Sequence, residues 1–214
     1  DITAPTFSGL PGASSVECTG DVPAMIDLTW NDNCDGTGVV TGSDASNGNT
    51  CPETITRTWS FTDACGNIAT VSQIITVEDI TAPTFAGLPG ALAVDCIGDV
   101  PAMIDLTWND NCDGTGVVTG SDISDGNTCP ETITRTWSFT DACGNIATVS
   151  QIITVEDITA PTFAGLPGAT AVECIGDLPA MIDLTWNDNC DGTGVVTGSD
   201  ASDGNTCPET ITRT

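Results

Sequence analysis

Histidine, lysine and tyrosine are absent from this 214-residue sequence, and arginine occurs only as Arg57, Arg135 and Arg213. Without His, Lys or Tyr, acid–base chemistry is left to carboxylate pairs. A glycosidase needs two such carboxylates in one cleft, which a short module repeated three times is poorly suited to build. No catalytic residue is assigned, and the chain is not expected to be an enzyme. Thirty acids against three arginines give a net charge of −27, a surface that repels nucleic acid and anionic membrane and attracts cations. No apolar run is long enough to span a membrane, so no insertion is expected in this segment. The C-x2-C spacing of four-cysteine zinc sites is missing, as is any Asn-x-Ser/Thr sequon. The Gly36–Gly42 run has neither the lysine nor the glycine spacing of a phosphate-binding loop, and reads as a turn into a strand. An initiator Met and a signal peptide are missing too, and the sequence reads as a window on a longer repeating polypeptide.

What is present is periodic. Asp1, Asp79 and Asp157 open near-identical blocks 78 residues apart, giving repeats 1–78, 79–156 and 157–214, the last without its final hairpin. Repeats of this kind organise everything else. The seam is Glu78-Asp-Ile-Thr-Ala-Pro-Thr-Phe85, where Ala-Pro holds the backbone extended. The apolar fraction, 39%, is too high for a disordered acidic tail. A block this small still needs a staple beside its core.

Each complete block carries four cysteines at fixed spacing, which in a His-free chain points to disulfides in an oxidising, extracellular or cell-surface setting. Short alternating runs, β-branched residues and Gly/Asn/Asp turns predict an all-β sandwich of about seven strands per repeat, joined end to end, with no helical period. Residues 5–18 read as a broken first strand and residues 23–30 as a half-buried strand. Ser43 to Asn49 reads as a turn. Thr54–Thr62 and Ile68–Val77 form a hairpin about Asp63-Ala-Cys-Gly-Asn67. Strand direction sends Cys34 and Cys65 to one end and Cys18 and Cys51 to the other. The expected pairs are Cys18–Cys51, Cys34–Cys65, Cys96–Cys129, Cys112–Cys143 and Cys174–Cys207, with Cys190 alone.

The strings Asp-Ile-Thr-Ala-Pro-Thr-Phe, Asp-Asn-Cys, Ile-Thr-Arg-Thr-Trp and Thr-Asp-Ala-Cys-Gly-Asn resemble the hyalin-repeat-like, immunoglobulin-like modules of large bacterial surface proteins, familiar from secreted adhesins of Bacteroidota. The resemblance covers the whole chain. It implies an extracellular β-sandwich array serving as a stalk or adhesive fibre, and it transfers no active site. The seam is also similar to the calcium-stiffened linkers of giant bacterial adhesins.

Asn31-Asp-Asn-Cys-Asp-Gly36 matches the first half of a calcium loop, with oxygen ligands at alternating positions and glycine at the sixth. Asn stands at position one, and Gly42 replaces the closing Glu, so other oxygens must complete the shell. The seam supplies them: Glu78, Asp79, Asn109, Asp110, Asn111, Asp113 and Asp141 form one candidate Ca2+ site, and Glu156, Asp157, Asn187, Asp188, Asn189 and Asp191 the next. The competing reading is a set of Asx turns on a solvated loop. Arg57 shares a face with Trp59, so it is expected to stack on the indole or pair with an acid. Thr54, Thr56 and Thr58 form an outward row that is an ordinary exposed strand face, a site for O-linked glycans or an ice-binding surface. The expected function is a structural array stiffened by calcium, whose partners are neighbouring repeats or copies of itself. The alternatives are a module that binds surface glycans or a host ligand, and a discrete filament subunit completed by strand donation.

Overall fold

A computed structural model describes all residues from Asp1 to Thr214. Repeat 1 contains seven strands, β1 (Thr6–Ser8), β2 (Ser14–Val16), β3 (Asp27–Asp32), β4 (Gly36–Thr41), β5 (Ser43–Ser46), β6 (Glu53–Thr62) and β7 (Ile68–Val77). They form two sheets, ordered β1-β3-β4 and β2-β7-β6-β5. The expected β-sandwich is thus what the chain builds. The β6–β7 hairpin spans the residues its alternation indicates, with Ile55, Arg57 and Trp59 buried on one side.

Two strands depart from the sequence reading. Ser43–Ser46 is an exposed edge strand rather than part of a turn, with Ser43 opposite Thr58 and Ser46 opposite Ile55. Its Ser-Asp-Ala-Ser composition has little intrinsic strand preference, so pairing with β6 imposes its conformation. β2 runs parallel to β7, Ser14 opposite Ile75 and Val16 opposite Val77, a long-range pairing that no local pattern encodes.

The core of repeat 1 gathers Ile55, Ile75 and Val77, with Val16 and Val22 packed against them. Leu28 and Trp59 are also buried. Trp59 donates its Nε1 hydrogen to the Ile26 carbonyl at 2.8 Å, which satisfies the polar atom of an otherwise apolar side chain. Trp30 on β3 stacks on Phe61 of β6 with centroids 3.8 Å apart, so the pair bridges the two sheets. Gly38, opposite Trp30 in the β3–β4 ladder, is required by close approach. A Cβ there would lie 2.5 Å from the Trp30 ring.

Repeat 2 repeats the scheme with β8 (Thr84–Ala86), β9 (Leu92–Val94), β10 (Asp105–Asp110), β11 (Gly114–Thr119), β12 (Ser121–Ser124), β13 (Glu131–Thr140) and β14 (Ile146–Val155). Its sheets are ordered β11-β10-β8 and β12-β13-β14-β9. Repeat 3 forms β15 (Thr162–Ala164), β16 (Asp183–Asp188), β17 (Gly192–Thr197), β18 (Asp200–Ser202) and β19 (Ile211–Arg213). Backbone packing defines two compact units, one of Asp1–Pro89, Met103–Asp122 and Arg135–Gln151, the other of Gly90–Ala102, Ile123–Thr134 and Ile152–Thr214. These units cut across the sequence repeats. No helix is long and apolar enough to cross a membrane.

Candidate functional site: the seam between repeats

The disulfides correct the expected pairing. Cys18 bonds to Cys112, Cys51 to Cys143 and Cys96 to Cys190, over sequence separations of 94, 92 and 94 residues. Every bond joins one repeat to the next. The expected pairs Cys18–Cys51, Cys34–Cys65, Cys96–Cys129, Cys112–Cys143 and Cys174–Cys207 do not form. Cys190, expected to be alone, is bonded, while Cys34, Cys65, Cys129, Cys174 and Cys207 are free and exposed. The reason lies in the seam. The chain end carrying Cys18 and Cys51 abuts the end of the following repeat that carries Cys112 and Cys143, so each thiol meets a partner across the joint. Strand direction had grouped the thiols by end correctly, but it had not shown that two ends face each other.

Polar contacts accompany the bonds in the first compact unit. The Asn111 side-chain amide donates to Glu17 Oε2 at 2.8 Å and to Asp79 Oδ1 at 3.4 Å, and Thr81 Oγ1 donates to Glu17 Oε2 at 2.9 Å. Glu17, which the sequence reading did not single out, therefore bridges the loop and the linker of the next repeat. Its signal was its place beside Cys18.

Three carboxylates from three segments converge beside these contacts. Asp79 comes from the linker, Asp110 from the end of β10 and Asp141 from the β13–β14 turn. One oxygen of each lies within 4.8 Å of the others, and all three residues are buried. Asp110 Oδ1 accepts the backbone N–H groups of Cys112 and Asp113, both at 2.9 Å. That is the Asx turn of the simpler reading. Its Oδ2, however, is buried without a hydrogen-bond partner. Burial opposes charge on Asp141, but the Asn145 side chain and the backbone N–H groups of Asn145 and Cys143 outweigh it. Its carboxyl is therefore held below the ordinary carboxylate range. The linker is fixed in turn, since the Asn145 side chain donates to the Asp79 carbonyl at 2.9 Å. Carboxylates packed this closely repel one another.

The remaining residues of the expected set lie around this trio. Glu78 and Asn109 are exposed, and the Asn109 carbonyl accepts the Thr84 hydroxyl at 3.1 Å. Asp113 Oδ2 accepts the Ala142 N–H at 2.7 Å, tying the loop to the hairpin turn.

In the second compact unit Asp157, Asp188 and Cys190 cluster, but Cys190 is consumed by its disulfide, leaving two carboxylates. Backbone N–H groups of Asp191 and Cys190 hold the Asp188 carboxyl below its ordinary range. Glu156, Asn187 and Asn189 are exposed, and the Asn189 amide points at Cys190 Sγ, 3.2 Å away.

Arg57 pairs with an acid rather than stacking. Its Nε and Nη2 grip both oxygens of Asp44 at 2.8 and 2.9 Å, and Nη1 reaches the Ala24 carbonyl at 3.2 Å. Arg135 with Asp122 and Arg213 with Asp200 repeat the fork. Thr54, Thr56 and Thr58 are half-buried along β6, flanked by β5 and β7.

These features together define a disulfide-linked β-sandwich repeat, an extracellular structural or adhesion module whose bonds require an oxidising compartment. The model of the HYR-like domain with 4 cysteines matches residues 7–77 and 84–155. The chain belongs to that family. It is also similar to Chitinase A1 of Niallia circulans, with 28% identity over 205 residues, covering 78% of this chain and 28% of the relative. The chain thus spans less than a third of that relative's length.

Proposed function

We propose that the chain is an extracellular filament or adhesin-stalk segment at the cell surface, in which disulfides close the seams and a calcium ion locks the seam at Asp79. The observation that carries this reading is the buried Asp79–Asp110–Asp141 trio with its unpartnered Asp110 Oδ2. Calcium takes six to eight hard oxygen ligands. Three carboxylates supply part of the shell, and water completes it. The ion would neutralise the trio and join the linker, the β10 loop and the hairpin turn at one point. The rest of the seam is already covalent, so the cation would set the stiffness of the joint rather than its existence.

A glycan-binding module needs free aromatic faces. Trp30 is engaged by Phe61 and lies over Gly38, and Trp59 is fully buried, which favours the structural reading.

Calorimetric titration with Ca2+ tests the site. The intact chain is expected to bind, and its thermal midpoint to rise with Ca2+. At a free concentration of 100 Kd the added stability is about 2.7 kcal/mol. D110N and D141N should each abolish the rise. An unchanged midpoint and scattering-derived stiffness after EGTA treatment would overturn the proposal.

A further inference from the structure

We propose that the outward face of the β2-β7-β6-β5 sheet is a contact surface whose occupant is the same face of a second copy of this chain. The inference goes beyond the end-to-end reading above and does not rest on the cation.

The face is defined by alternation. Ile55, Arg57 and Trp59 are buried inside the sandwich, so the residues between them point outward. From Thr54 opposite Thr76 to Thr62 opposite Ile68, every outward pair of β6 and β7 combines Thr, Ser and Ile. β5 adds Ser43 and Ala45, opposite Thr58 and Thr56. No charged side chain stands on this face, in a chain whose net charge is −27. The outer face of the other sheet differs, because Asp27 stands there beside Thr29, both exposed.

Ile68 and Ile74 are 63% and 42% exposed, and their counterparts in repeat 2, Ile146 and Ile152, are 62% and 42% exposed. Repeat 2 has a repeat before and after it, so this exposure belongs to the fold and not to a position in the array. In repeat 2 the place of Ala45 is taken by Ile123, which is also exposed.

Charge selects the occupant. Two copies this acidic repel each other, and docking through a face that carries carboxylates would bury them at a cost. On the uncharged sheet two copies meet without that cost. Its hydroxyls both donate and accept hydrogen bonds, so identical rows satisfy one another. Its β-branched side chains suit sheet-on-sheet packing. At a rise of about 3.3 Å per residue and about 4.8 Å between strands, the sheet of one repeat covers roughly 430 Å². Two such faces fall just short of the roughly 1,000 Å² of a specific interface, so the contact strengthens with each further repeat engaged.

The test uses the full chain with EGTA present and its free thiols alkylated, so that neither the cation nor new disulfides contribute. Sedimentation equilibrium is run at about 0.01 M and about 1 M NaCl, where the screening length is about 30 Å and about 3 Å. The weight-average mass is expected to climb with concentration from 21.8 kDa toward twice that value. The climb should be greater at high salt, because screening removes the repulsion. T56E/T134E should hold the monomer mass at both salts. V39E/V117E adds the same charge to the outer face of the other sheet, opposite Thr29 and Thr107, and should associate as the wild type does. Hydroxyl-radical footprinting of the wild type needs no variant: on association Ile74 and Ile152 should lose reactivity, while Val39 and Val117 keep it. A constant monomer mass, association strongest at low salt, equal loss in both variants, or protection of Val39 in place of Ile74 would overturn the proposal. So would O-linked sugar on Thr54, Thr56 and Thr58 in chain secreted by its own host, which would cover the face. Failure of the calcium site leaves this association unchanged, so the two readings fail separately.

Discussion

At the scale of single residues, the seam depends on side chains that few substitutions can imitate. The sandwich behind it is equally particular. Arg57 is almost fully buried while its partner Asp44 keeps 36% of its side-chain surface exposed. D44A would strand a buried guanidinium. The expected cost is roughly 2 kcal/mol in urea unfolding, below that of a fully buried pair because solvent screens the carboxylate. The hydrogen bonds from Arg57 hold the Asp44 carboxyl below its ordinary range. A depressed folded value means the pair contributes fully above the unfolded carboxylate range and loses its contribution as pH falls through the folded value. The stability curves of the wild type and D44N should therefore converge in acid and separate toward neutrality. G38A tests close approach rather than charge. Its Cβ would sit 2.5 Å from Trp30, and a loss of about 1–3 kcal/mol is expected from the forced shift of the ring.

At the scale of elements, legibility followed the range of the interaction. The β6–β7 hairpin is written in adjacent residues, Ile55, Arg57, Trp59 and Phe61 alternating with Thr and Ser before a turn with its own Asp and Gly. Asp79, Asp110 and Asp141 were legible as acidic residues gathered near a linker, because acidic residues recur there in each repeat. The parallel pairing of β2 on β7 and the edge strand β5 were not legible, since both are imposed by neighbours distant in sequence. The disulfides failed for the same reason. Four thiols in a repeat suggest two internal pairs, and only the arrangement of one end on the next reveals a partner 92 or 94 residues away. Removing one staple by C51S/C143S should lower stability by about 4–5 kcal/mol, as the chain-entropy relation gives for a loop of this length. C34S/C65S, measured by the same denaturant titration of the monomer, should change it little.

At the scale of the whole molecule, the bonds change what the chain can do under tension. The shortest covalent route from Asp1 to Thr214 passes along residues 1–18, across to Cys112, back to Cys96, across to Cys190 and on to the end. That route contains about 60 residues, or roughly 200 Å when fully extended, against roughly 750 Å for the reduced chain. Single-molecule stretching should show this limit and should recover the full length after reduction. Equal extension in the two states would exclude bonds between repeats.

The three bonds also interlace. Their spans, 18–112, 51–143 and 96–190, overlap in order. A protease that cuts any one peptide bond between Cys18 and Cys190 leaves both fragments attached through a sulfur bridge. A nicked chain therefore sheds nothing, and a single cleavage is silent until the bridges are reduced or a second cut frees a piece. This gives the chain a tolerance of damage that extends across the linkers between repeats, which disulfides confined to single repeats would leave unprotected.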